Sequence, residues 1–126
     1  MDRDTNILSS WFGRTVIRSC CKLSYAQAQE MIEKGDLSEL SDNVKGLRIH
    51  GNHRLDQVAD DVRELHQLAL KLRSKRFANG SLTLHTNEVS FVLDKATGMP
   101  IDFFSYEQKD SNRLVEEFML LANIAV

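Results

Sequence analysis

Glu116 and Asn123 lie seven residues apart in the segment Arg113-Leu-Val-Glu-Glu-Phe-Met-Leu-Leu-Ala-Asn-Ile-Ala-Val126. At helical spacing that separation puts a carboxylate and an amide on nearly one line. Their surroundings are apolar. Leu114, Phe118, Leu121, Ala122 and Ala125 form one broad face, Val115, Met119 and Val126 widen it, and Leu120 and Ile124 lie behind. Polar groups enclosed by such residues must be hydrogen-bonded. They are either a structural pair holding nearby backbone or an arginine, or a polar stripe lining a substrate channel. Glu117 points about 100° away and reads as a solvated or salt-bridged residue.

The other residues able to do chemistry are dispersed. Cys20 and Cys21 are adjacent, and a disulfide between neighbours strains the intervening peptide, so they read as small buried apolar residues in a reducing compartment. His50-x-x-His53 is too weak a spacing to complete a metal site with them, and His66 and His85 stand apart. Asp60-Asp61 belongs to a solvated helical face rather than a metal pair. Lys71, Arg73, Lys75 and Arg76 form a basic cluster, suited either to a helix C-terminus or to phosphate contact. There is no Gly-x-Ser-x-Gly, P-loop or dinucleotide glycine pattern. No catalytic residue and no metal ligand is therefore assigned within the chain.

The elements that must position these residues follow from pattern. Trp11 to Leu23, with Thr15-Val16-Ile17, predicts a strand. Ser24 and Gln27 have capping-box spacing and start a helix over Tyr25 to Lys34, ended by Gly35. Residues 36–52 read as a connecting loop with at most one short turn. Residues 54–77 carry Leu55, Val58, Ala59, Val62, Leu65, His66, Ala69 and Leu72 at helical spacing, a helix about 36 Å long. Ser81 to His85, Glu88 to Asp94 and Ile101 to Glu107 predict three strands in an antiparallel meander. Asp110 or Ser111 caps the terminal helix. The predicted fold class is α+β: a strand, a short helix, a long helix, a three-stranded antiparallel meander and a buried C-terminal helix.

The chain has 126 residues, 42% hydrophobic and 27% charged, with net charge −2, which is a globular profile without the basic excess of a stand-alone nucleic-acid-binding domain. No signal-peptide pattern opens it, and its longest apolar run, Phe118 to Ala122, is far below the roughly 18 residues of a membrane span. A soluble, cytoplasmic protein without membrane partners is expected. A helix apolar on all sides belongs inside a larger body, and this one carries no C-cap. The expectation is a single partial domain over 1–126, incomplete at both ends. An independent helix-rich interaction module is the rival, and would melt cooperatively by itself.

Three blocks carry a resemblance: Trp11-Phe-Gly-Arg-Thr-Val-Ile-Arg-Ser-Cys20 followed by Lys22-Leu-Ser-Tyr-Ala-Gln-Ala-Gln29; Leu82-Thr-Leu84 after Asn79-Gly80; and Asn112-Arg-Leu-Val-Glu-Glu-Phe-Met-Leu-Leu-Ala-Asn123. In order and spacing they resemble the middle of the catalytic domain of the ribonuclease II (RNB) family, and the first block is most similar to the eukaryotic Dis-three-like exonuclease branch, in particular its cytoplasmic second paralogue. The resemblance implies part of a processive, Mg2+-dependent 3′-to-5′ exoribonuclease (a hydrolase of RNA decay) that threads single-stranded RNA into a channel. It implies that the metal-binding aspartates lie upstream, that the remaining RNB domain and flanking OB-fold domains are partners, and that this chain alone is inactive. It assigns two RNA-binding residues: Tyr25, packing against the terminal nucleotide, and Glu116, accepting from the terminal ribose. Where bacterial members carry a stacking phenylalanine this chain has Leu84, which lacks a π-face. The alternative within the family is a piece of a catalytically inactive RNA-binding translational regulator.

Overall fold

The computed structural model describes residues 1–81, 89–94, 97–105 and 108–125. The elements are α1 (Tyr25–Glu33), a 3-10 turn (Leu37–Glu39), α2 (Asp42–Lys45), α3 (Leu55–Ala78), β1 (Val89–Leu93), β2 (Pro100–Ser105) and α4 (Asp110–Ala125). Helix α1 starts where its capping box dictates. The Gln27 amide donates to Ser24 Oγ at 3.3 Å, and Gln27 Oε1 accepts from the Ser24 amide at 2.9 Å. Helix α3 opens in a related way, Gln57 Oε1 accepting from the Arg54 amide at 3.1 Å.

The small core lies where α1, α2 and the N-terminal half of α3 meet. Met31, Leu40, Val44, Val58 and Ala59 are buried together, with Leu23, Leu37, Leu47, Ile49, Leu55 and Val62 packed around them. The predicted loop thus contributes core residues, because the 3-10 turn and α2 turn their apolar side chains inward. Arg63 of α3 closes the C-terminal end of α1, donating from Nε to the Met31 carbonyl and from Nη2 to the Lys34 carbonyl, both at 3.0 Å. These satisfy carbonyls that a helix end leaves without partners. Helix α4 packs across α1 and α3.

The predicted α+β fold with a three-stranded meander and a buried terminal helix does not stand. Among the described residues four α-helices dominate, and the sheet is one two-stranded antiparallel hairpin, with Val89 opposite Ser105, Phe91 opposite Phe103 and an irregularity between Val92 and Leu93. Its turn uses Gly98 at φ 68°, a left-handed conformation that glycine adopts without strain. Of the third expected strand, Ser81 to His85, residues 82–85 fall outside the described residues.

The predicted strand from Trp11 to Leu23 is absent: residues 11–19 run as an exposed arm, with Val16 and Ile17 102% and 85% exposed, and Leu23 packs against the core. β-propensity expresses fit to a half-buried pleated surface, and among the described residues no neighbouring strand supplies one. Helix α4 is likewise only partly covered. Ser111 and Glu117 are buried against the helices, whereas Met119 and Ile124 face water. One face of a helix can pack on a two-helix surface, so an all-round apolar sequence leaves its back open. No helix is long and apolar enough to cross a membrane among the described residues.

Candidate nucleic-acid interface

Tyr25 is the first residue of α1, set there by the Ser24 cap, and its ring is half exposed. Its hydroxyl has no hydrogen-bond partner among the described residues. Glu116 lies in the middle of α4, half-buried, where Gln108 Nε2 donates to its Oε2 at 3.3 Å. The two residues sit on helices that pack against each other, and no hydrogen bond joins their side chains. Both therefore keep polar atoms available to an outside group.

The packing of α1 on α4 depends on a residue that pattern reading passed over. Gln29, buried on α1 one turn after Tyr25, accepts through Oε1 from the Ser111 amide at 2.8 Å. A side chain from another helix thereby serves an orphan donor in the first turn of α4. Asp110 pairs instead with Arg113 at 3.3 Å, and Ser111 Oγ is buried without a partner among the described residues, so neither is the expected cap. The Gln29 signal was a polar residue within an amphipathic helix, which does not name its partner.

The acid of α4 that is buried is Glu117, not Glu116. Its carboxylate meets Arg76 through Nη2 at 2.5 Å and Nε at 3.2 Å, with Arg73 Nη1 at 3.8 Å. Asn123, expected on the same enclosed line as Glu116, is exposed. The polar stripe is thus a half-open edge of α4, and the salt-bridged reading of Glu117 holds in a buried setting. Arg76 is held more firmly protonated than an ordinary guanidinium, chiefly by its hydrogen bonds to Glu117.

The basic cluster of α3 is consumed inside the chain. Arg73 and Arg76 serve Glu117 and stack near Phe77 at 5.1 and 5.0 Å. Lys71 and Lys75 hold the N-terminal loop, donating to the Arg3 and Asp4 carbonyls, each at 2.6 Å. All four cations thus have partners within the chain. His66 lines a small cavity of about 70 Å³ beside Arg73, Arg113 and Glu117, with Nδ1 buried and unpartnered among the described residues.

Cys20 and Cys21 are free thiols, half-buried, and burial pushes the Cys21 thiol up from its ordinary value. No group of three or more His, Cys, Asp or Glu side chains is placed to hold a metal ion among the described residues. Leu84 lies outside the described residues.

Comparison with known proteins bears on the whole chain. The model of the RNB domain family matches residues 1–126. A Xenopus tropicalis protein named DIS3-like exonuclease 2 is 44% identical over 120 residues, covering 95% of this chain and 14% of the relative. Two Arabidopsis thaliana proteins, DIS3-like exonuclease 2 and Inactive exonuclease DIS3L2, are each 42% identical over 125 residues, covering 98% of this chain and 11% of each relative. The chain thus spans a small part of the length of these relatives. With the family model matched from end to end and the three ordered blocks in place, this chain belongs to the RNB domain family.

Proposed function

We propose that residues 1–126 are one part of an RNB exoribonuclease catalytic domain and supply a wall of its channel for single-stranded RNA. The end-to-end family match is the observation that carries this reading. The exonuclease names of the relatives support it, and their much greater length supports a larger catalytic unit around this segment. In the complete enzyme the direction is 3′ to 5′ and the compartment cytoplasmic, and OB-fold domains flank the RNB domain.

Tyr25 and Glu116 divide the contact with the RNA end. The half-exposed Tyr25 ring offers a face for the terminal base, a sequence-tolerant interaction. Glu116 accepts from the ribose hydroxyls, a contact that DNA cannot reproduce at the 2′ position. Gln108 orients the Glu116 carboxylate from one side and leaves its other oxygen available.

The Mg2+ of the complete enzyme does not belong here. The aspartates that the family resemblance places upstream of this segment would hold it. On this reading the isolated chain has no turnover of its own, and its contribution is positional.

A second reading draws on the equal 42% identity to relatives named as an exonuclease and as an inactive exonuclease. This segment is compatible with a catalytically inactive RNA-binding regulator of translation, in which the same channel binds RNA without shortening it. The complete protein incubated with labelled RNA separates the two, since only the nuclease yields shortened products. For the site itself, Glu116→Ala in the complete enzyme should lower turnover on RNA and narrow its preference over DNA. Unchanged kinetics together with unchanged preference would refute the Glu116 role.

A further inference from the structure

The chain is acidic as a whole, yet two of its segments contain no acid. Residues 11–23 hold Arg14, Arg18 and Lys22, and residues 45–54 hold Lys45, Arg48, His50, His53 and Arg54, with no Asp or Glu in either. The fold brings the two together. The His50 amide donates to the Cys20 carbonyl at 2.7 Å, which docks the end of the arm on the loop before α3.

Between them lies an open cleft of about 410 Å³, lined by Arg18, Ser19, Cys20, His50, Gly51, Asn52 and His53. Among the described residues no carboxylate lines it. Arg18, His50 and His53 are exposed, and their side chains have no hydrogen-bond or ion-pair partner among the described residues. This contrasts with the basic cluster of α3, every member of which is paired. An unpaired guanidinium beside imidazole and amide donors in a carboxylate-free cleft suits a phosphodiester, which offers only acceptors and a negative charge. Farther along the arm, Trp11 and Phe12 are 73% and 56% exposed. The Trp11 ring lies against Gly13, where an added Cβ would fall 2.3 Å from it. Two exposed aromatics on the same arm as the cations favour a single-stranded nucleic acid over an acidic peptide, because bases can stack on the rings.

We propose that this cleft is a phosphate subsite for single-stranded RNA, with Arg18 supplying the charge and His50, Asn52 and His53 the surrounding donors. The inference rests on the channel reading above and extends it. Cys20 precedes Tyr25 by five residues, so the cleft lines the stretch of chain that leads into α1, and an RNA whose end meets Tyr25 is proposed to continue over it.

Fluorescence anisotropy of the 126-residue chain with an end-labelled oligouridylate, read across a salt series, tests it. The double variant Arg18→Ala, His53→Ala should bind about three- to tenfold more weakly and flatten the logarithmic salt dependence by about one unit. Arg18→Lys should keep most of the affinity. Circular-dichroism melting of each variant should be unchanged, since both side chains are exposed. If the double variant binds like the parent while Tyr25→Ala does not, the cleft assignment is overturned and the channel reading stands. Absence of any binding by the parent chain at about 50 mM salt also overturns the cleft. The channel reading then still answers to Glu116→Ala in the complete enzyme. Displacement of the RNA by polyglutamate at equal charge overturns the preference for nucleic acid and leaves a general polyanion surface.

Discussion

Glu117 of α4 and Arg76 of α3 form a forked ion pair, Nη2 to Oε1 at 2.5 Å and Nε to Oε2 at 3.2 Å, with the glutamate side chain 3% exposed. Arg76 also donates from Nη1 to Ser81 Oγ at 2.7 Å, so one guanidinium fixes α4 and the end of α3 together. The pair determines which face of α4 turns inward, and hence that Glu116 sits at an open edge.

Glu117→Ala should destabilise the fold strongly. Removing one partner strands a largely buried cation, a loss of about 3 kcal/mol and near the lower end of the usual range because Arg76 keeps some contact with water. Urea denaturation of the chain measures it. The double variant Glu117→Leu, Arg76→Met should recover part of the loss, since apolar replacements leave no unpaired charge. A double variant less stable than Glu117→Ala would contradict the ion pair as the source of the effect.

Gln29→Ala should free the Ser111 amide in a buried setting. The expected cost is about 1–2 kcal/mol, the range for an unsatisfied buried donor. The loss should be local first, so hydrogen exchange of the first-turn amides of α4 should accelerate before the core around Met31 and Val44 responds. Uniform acceleration throughout the chain would count against a capping role.

Arg63→Lys should lower stability by about 1–2 kcal/mol although charge is kept. A planar fork reaches the Met31 and Lys34 carbonyls at once, and an ammonium cannot reproduce both bonds. Thermal melting of the variant beside Arg63→Ala provides the comparison. Lysine performing as well as arginine would show that charge alone matters there.

Glu30 carries the clearest pH dependence. Hydrogen bonding from Lys34, then from the Ser41 hydroxyl and amide, pulls its carboxyl down from 4.5 to about 2. The folded state therefore prefers the ionised form. Its stabilising contribution is complete above pH 4.5 and drains away as pH falls toward 2. Glu30→Gln should lower the melting temperature at pH 7, and the gap from the parent should close in acid. A gap constant from pH 7 to pH 2 would exclude this linkage.

What the sequence determined was local or carried in contiguous blocks. Ser24 and Gln27 fixed the start of α1 because a capping box is satisfied within four residues. The long apolar period placed α3 at Leu55–Ala78, within a residue of expectation at either end; β1 lies within its predicted segment, whereas β2 begins at Pro100, one residue before its own. The family blocks were legible for the same reason. Tertiary structure decided the rest, because those outcomes depend on partners distant in the chain. Trp11 to Leu23 has strand composition but no strand beside it among the described residues, and the loop after α1 entered the core through Leu40 and Val44. Adjacent glutamates at 116 and 117 look alike in sequence. Only the approach of Arg76, 41 positions away, selects Glu117 for burial and leaves Glu116 at the edge, since a buried carboxylate persists only where a cation meets it.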